Sequence, residues 1–139
     1  LYTHKVLNRK EPLVRGFDDY FIAPHSRHTT IPYKEIAECP DLKIMAESEE
    51  AGVFLCMAEE GKKIFVMGHP EYDRVTLSKE YQRDKGKGLE IQVPKEYFPE
   101  DDDTKRPSLM WRAHANTLYT NWLNYYVYQM TPYIWEDDK

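Results

Sequence analysis

The stretch Lys63-Ile64-Phe65-Val66-Met67-Gly68-His69-Pro70-Glu71-Tyr72-Asp73 decides how the rest of the chain is read. Ile64 to Met67 is apolar without alternation, the pattern of a strand covered on both faces. Gly68 lets the backbone bend, which sets His69 and Glu71 at the carboxyl end of that strand. In a sheet of mostly parallel strands, this edge is where ligands bind. The residue types suit proton transfer: an imidazole, and a carboxylate two residues on that could fix its tautomer and stabilise its charged form. A nucleophile is missing nearby. The alternative is that His69 caps a strand and Glu71 is a solvated turn residue.

Working back from this stretch, Val53 to Ala58 reads as a second strand covered on both sides. Glu59-Glu60-Gly61-Lys62 joins the two as a tight antiparallel hairpin, with Gly61 supplying a positive φ. Cys56, mid-strand among apolar neighbours, reads as an inert core thiol, and Cys39, beside Pro40, has no basic partner in sequence. Leu42 to Ser48 alternates as a half-buried strand. Pro32 opens a short helix through Cys39, which Pro40 stops. Tyr20 to Ala23 is a strand ended by Pro24, and the polar group His25-Ser26-Arg27-His28-Thr29-Thr30 that follows is a candidate for the same functional rim. His25 and His28 could ligate a metal with Glu71, but a third nitrogen or sulfur and a helix to fix the spacing are missing, so no metal is expected. For His28 and Thr29 a polar loop is the preferred reading, with the Ser26 and Thr29 hydroxyls bonded to local backbone. Residues 8–19 form a connection with one helical turn.

Working forward, Val75 to Lys85 reads as a helix ending at Gly86 and Gly88. Leu77, Tyr81 and Asp84 share one of its faces and Arg83 points elsewhere. Folded back over the His69 turn, that guanidinium would suit a carboxylate ligand through a two-pronged contact; otherwise it is a surface arginine paired with Glu80. Residues 86–107 read as a loop with one extended piece, Leu89 to Val93, and a solvated acidic run, Glu100 to Asp103. Ala115, Leu118, Tyr119, Trp122, Leu123, Tyr126, Val127 and Met130 form a wide apolar helical stripe, with Asn116, Thr117, Thr120, Asn121 and Asn124 opposite. Pro132 closes this helix, and Tyr133 to Lys139 read as a tail.

The 139 residues suffice for one domain, yet residue 1 is Leu and the first segment reads like the middle of a fold. Strands covered on both faces need helices on both sides, and only three helices are visible, so a truncated three-layer α/β sheet is expected. A net charge of −5 with scattered basic residues argues against nucleic acid. No apolar run approaches the roughly 20 residues of a membrane span. Two cysteines without zinc-type spacing favour a reducing cytoplasm. With 11 Tyr, 5 Phe and 3 Trp, the chain is suited to large packed surfaces.

Four segments in this order and spacing, Pro12-Leu-Val-Arg-Gly-Phe-Asp-Asp19, Ala23-Pro-His-Ser-Arg-His-Thr29, Gly68-His-Pro-Glu-Tyr-Asp73 and Glu80-Tyr-Gln-Arg-Asp84, resemble the carboxyl-terminal half of homoserine O-acyltransferases. These make O-succinyl- or O-acetylhomoserine in methionine biosynthesis. The likeness runs through nearly the whole chain, including the Trp111 to Tyr128 helix; His-Pro-Glu alone is shared with class I glutamine amidotransferases. The resemblance implies a class I glutamine-amidotransferase-like (flavodoxin-like) three-layer α/β sheet, with residues 1–139 as the carboxyl-terminal part of its single catalytic domain. It implies ping-pong chemistry in which a cysteine takes the acyl group from acetyl-CoA or succinyl-CoA, and the L-homoserine hydroxyl collects it. His69 matches the general base, Glu71 the residue orienting it, Arg83 the arginine holding the homoserine carboxylate and Ser26 a serine near the substrate. No permanently bound cofactor is implied, and a homodimer is. The family's nucleophilic cysteine and oxyanion hole belong to the amino-terminal half, and neither Cys39 nor Cys56 matches that cysteine, so the chain by itself is expected to be inactive. The rival readings are an amidotransferase-type hydrolase and a non-catalytic module that binds a partner through its aromatic helix.

Overall fold

A computed structural model describes residues 1–132, so the tail expected over 133–139 lies outside the described residues. Five strands, β1 (Tyr2–Val6), β2 (Tyr20–Ala23), β3 (Lys43–Ser48), β4 (Gly52–Ala58) and β5 (Lys63–Val66), form one sheet in the order β2-β1-β3-β4-β5. Every strand pairing among the described residues is antiparallel. This corrects the expectation of a mostly parallel sheet for these residues. The connections explain it: β3 and β4 are joined by a tight turn at 49–51 and β4 and β5 by one at 59–62, whereas a parallel crossover needs roughly a dozen residues or more.

The expected hairpin is present, with Leu55 opposite Val66 and Ala58 opposite Lys63. Gly61 has a φ of +93°, and a Cβ there would stand 2.0 Å from the Tyr126 ring. Both the turn and the packed aromatic therefore demand glycine.

β4 is covered as its sequence requires: Val53 to Met57 are all buried. Val53 and Cys56 pack with Ile36 of α1 (Tyr33–Ala37), while Phe54, Leu55 and Met57 cluster with Phe21, Leu118 and Tyr126. β5 differs from expectation, because Phe65 is 41% and Val66 37% exposed. It is an edge strand here, bonded only to β4 among the described residues. Its unbroken apolar run carries no record of which faces these residues themselves can cover.

α2 (Thr76–Gly86) buries Leu77 and Tyr81 against Tyr97, Phe98 and Trp111. Aromatic burial of this kind contributes roughly 1.5–3 kcal/mol per side chain. Leu89 to Val93 forms no strand, although Ile91 packs on this cluster. The acidic run is not merely solvated, since Asp103 accepts hydrogen bonds from Tyr81 Oη at 3.0 Å and Lys85 Nζ at 2.8 Å.

The last helix starts at Arg112, earlier than its stripe suggests. α3 (Arg112–Asn121) runs into a π-helical stretch, Trp122–Val127, and a final turn, Tyr128–Met130. The wider winding changes the phase of the stripe. Ala115, Leu118 and Tyr126 are buried, but Trp122 and Leu123 are 42% and 39% exposed. Asn121, expected on the polar side, is buried instead. Its Nδ2 donates to the Leu13 carbonyl at 3.0 Å and the Arg15 carbonyl at 2.8 Å, tying the helix to the 12–14 turn.

Candidate active site

The His69 turn is built on two backbone hydrogen bonds. Met67 N–H donates to the Phe54 carbonyl at 2.7 Å, and His69 N–H donates to the Pro24 carbonyl at 2.9 Å. The second bond joins the end of β5 to the end of β2. Gly68 is required here for lack of room more than for bending: an added Cβ would lie 2.7 Å from the Phe54 ring and 2.8 Å from the Pro24 oxygen. Trp111 Nε1 donates to the Tyr72 carbonyl at 2.9 Å. Asp73 Oδ1 accepts from the Val75 and Thr76 N–H groups, both at 2.8 Å, and so caps the start of α2.

Within this frame His69 Nδ1 and Glu71 Oε1 are 2.7 Å apart. An ionised carboxylate can only accept, so Nδ1 carries the proton and Nε2 is left as the basic nitrogen. The imidazole stacks on Tyr72, with centroids 4.3 Å apart and planes 16° from parallel. His69 and Glu71 thus form a hydrogen-bonded imidazole–carboxylate pair, both partly solvent-accessible.

Ser26 does not bond to its own loop. Its Oγ donates to Glu80 Oε2 at 2.7 Å, and Tyr72 Oη donates to Glu80 Oε1 at 2.8 Å. Burial, reinforced by the Glu80 carboxylate, pushes the Tyr72 phenol up to about 12. Arg27 holds the Ser26 loop against the His69 turn, with Nη1 donating to the Met67 carbonyl at 3.0 Å and Nη2 to that of Ala51. His28 and Thr29 are exposed.

Arg83 is exposed on α2, its Nε and Nη2 donating to Asp84 at 2.7 and 3.1 Å rather than to Glu80. That bidentate pairing raises its pKa, with a further contribution from the Glu80 charge. No hydrogen bond or ion pair among the described contacts joins it to His69, Glu71 or Ser26.

His25, expected on the polar rim, packs inward. Its Nε2 lies 2.8 Å from His4 Nε2, and neither Nδ1 has a hydrogen-bond partner among the described residues. Burial lowers His4 to about 4 and His25 to about 3, so both are neutral at pH 7. Cys56 is fully buried, which pushes its thiol up, and Cys39 is half-buried; both are free. No group of three metal-ligating side chains occurs among the described residues.

Glu80, Tyr72 and His4 were not singled out from the residue pattern. Tyr72 lies inside the quoted turn and Glu80 sits three positions before Arg83, but the Ser26–Glu80–Tyr72 contact joins three separate parts of the chain.

The family model described as homoserine O-succinyltransferase matches residues 1–133. The chain belongs to this family. Among its relatives within homoserine acyl transfer, the homoserine O-acetyltransferase of Lachnoclostridium phytofermentans is 69% identical over 133 residues, covering 96% of this chain and 44% of that protein. The Agathobacter rectalis homoserine O-acetyltransferase is 64% identical over 133 residues, with 96% and 43% covered. That of Brevibacillus brevis is 51% identical over 139 residues, with 100% and 45% covered. This member of the homoserine O-succinyltransferase family therefore spans less than half the length of the curated relatives it matches. None of its helices among the described residues is long and apolar enough to cross a membrane.

Proposed function

We propose that this chain is the carboxyl-terminal part of a homoserine O-acyltransferase, with a class I glutamine-amidotransferase-like three-layer fold in the whole enzyme. The enzyme transfers an acetyl or succinyl group from acyl-CoA to the hydroxyl of L-homoserine in methionine biosynthesis. The observation that carries this reading is the 2.7 Å His69–Glu71 pair, standing beside Ser26 through the shared Glu80–Tyr72 contact. Family membership and the names of the relatives supply the substrate class.

In the first half-reaction a cysteine thiolate from outside this chain attacks the thioester carbonyl of acyl-CoA. The carbon–sulfur bond to CoA breaks, and the CoA thiolate leaves with the proton that His69 took from the cysteine. In the second, His69 Nε2 takes the homoserine hydroxyl proton, the oxygen attacks the acyl-cysteine, and the proton returns to the departing thiolate. Glu71 holds Nδ1–H throughout. Arg83 holds the substrate carboxylate, exchanging its Asp84 contact for a ligand of the same bidentate geometry. Residues 1–139 lack an activated thiol in this scheme, so the chain by itself is inactive. The half-exposed Val66 and Trp122, which line one pocket with Ile64 and Leu118, fit a face covered by the remainder of the polypeptide. The whole enzyme is a cytoplasmic homodimer that needs no bound metal or cofactor.

The test is the full-length enzyme assayed with homoserine and either acyl-CoA. His69→Ala is expected to lower kcat/KM for acyl transfer by about 100-fold or more. Glutamine hydrolysis without acyl transfer would overturn the reading in favour of an amidotransferase-type enzyme. Unchanged turnover in His69→Ala would remove His69 as the base.

A further inference from the structure

Counting protons at the Ser26–Glu80–Tyr72 contact constrains what the site can recognise. Glu80 spends one carboxylate oxygen on each neighbour, at 2.7 Å from Ser26 Oγ and 2.8 Å from Tyr72 Oη. An ionised carboxylate has no proton to give, and a serine hydroxyl and a phenol have one each. Both protons are therefore committed to Glu80, and Ser26 Oγ offers only lone pairs to anything else that approaches it. A group bound there must be a hydrogen-bond donor. An amino-acid alcohol has two such groups, its hydroxyl and its ammonium, whereas its carboxylate would meet only repulsion from the lone pairs.

The same carboxylate acts on the imidazole. Tyr72 is fixed at its hydroxyl by Glu80, at its carbonyl by Trp111 Nε1 at 2.9 Å, and at its N–H by the His69 carbonyl at 3.2 Å. Its ring lies nearly flat on that of His69. Glu80 itself is set by α2, whose start is capped by Asp73 from the same turn. One side chain thus links the polarity of Ser26 to the plane of the His69 ring.

We propose that Glu80 is a positioning residue that makes Ser26 an obligate hydrogen-bond acceptor for a donor group of the amino-acid substrate and, through Tyr72, holds His69 in its catalytic orientation. This rests on the reading of His69 as base and Ser26 as a substrate contact. The two arms separate by half-reaction. In Glu80→Gln the amide NH2 must face Ser26 or Tyr72, so one of the two hydroxyls loses its acceptor and turns its proton elsewhere. In Tyr72→Phe the Ser26–Glu80 bond is intact and only the ring's anchor is lost.

The experiment measures CoA release in the absence of homoserine, and steady-state transfer in its presence, for the full-length enzyme and its E80Q and Y72F variants, with melting temperatures. E80Q is expected to raise the KM for homoserine about tenfold with the KM for acyl-CoA unchanged where its NH2 faces Ser26, and to slow both half-reactions as Y72F does where it faces Tyr72. Y72F is expected to slow both half-reactions by a similar factor with the homoserine KM unchanged. An E80Q variant with a homoserine KM within twofold of wild type and both half-reactions at the wild-type rate overturns the proposal. So does an equal loss in both half-reactions of E80Q accompanied by a lower melting temperature, which marks a merely structural role. If E80Q does not fold, a raised homoserine KM in Y72F overturns it and an unchanged one supports it. Failure of the underlying reading is distinguished by His69→Ala, which would then release CoA and transfer acyl groups at the wild-type rate.

Discussion

Two imidazoles that meet at their Nε2 atoms share a single hydrogen, so one ring donates and the other accepts, and both stay neutral. Burial is the main cause that holds His4 at about 4 and His25 at about 3, against 6.5 for an ordinary histidine, with the Arg27 charge acting in the same direction. Because the folded values are lowered, the unfolded chain binds protons that the native state refuses. Their effect on stability is therefore fully present above about pH 6.5 and declines as the pH falls toward 4, at up to about 1.4 kcal/mol per pH unit for each ring. Chemical denaturation of the full-length protein between pH 7 and 4 is expected to show this decline. A His4→Gln/His25→Gln variant should have a shallower slope, and equal slopes would rule the pair out as its source. His25 was legible as a polar residue after a strand, but its partner lies 21 positions away. Only the β1–β2 register, Tyr2 opposite Ala23 and His4 opposite Phe21, brings His4 alongside it, and no local pattern encodes a register.

Among the elements, the terminal helix shows most clearly what a periodicity can and cannot tell. Its existence was plain from the apolar stripe. Its buried face was not, because a period of 3.6 residues presumes unbroken α-geometry, and the π-helical stretch Trp122–Val127 breaks it. Asn121 is the residue whose reading changes most: its amide supplies hydrogen bonds to two carbonyls of the 12–15 segment. Replacing it with leucine preserves its approximate volume and leaves both oxygens without this partner. Asn121→Leu in the full-length protein is expected to cost about 1–3 kcal/mol. Asn124→Ala, on the exposed side of the same helix, should change stability by less than about 0.5 kcal/mol. Denaturant midpoints for the two variants check this, and similar losses at both positions would mean that the helix face is set otherwise.

For the molecule as a whole, the chain order from β2 onward was legible because Gly61, Pro24, Pro40 and Gly86 punctuate it, and the His69–Glu71 pair because two residues of one turn cannot lie far apart, whereas β1 (Tyr2–Val6), which no such residue opens, was not read as a strand. The 59–62 hairpin was legible as antiparallel, but the direction of the other strands was misread: apolar runs suggest parallel strands under two layers of helices, whereas the short turn at 49–51 enforces antiparallel pairing of β3 and β4 as well. The mismatch concentrates on β5, which has the composition of a covered strand and the exposure of an edge. In a longer polypeptide with the remainder packed on this face, Val66 would be buried although it is 37% exposed here. A carboxylate placed there would then be desolvated without a partner, a cost of roughly 2 kcal/mol or more. Val93 provides the comparison, being 36% exposed in the loop far along the chain from β5. In the full-length protein, Val66→Asp is expected to lower the denaturation midpoint strongly and Val93→Asp only slightly. Equal effects would mean that β5 remains an open edge in the longer polypeptide, and that the apolar run Ile64 to Met67 serves something other than contact with its remainder.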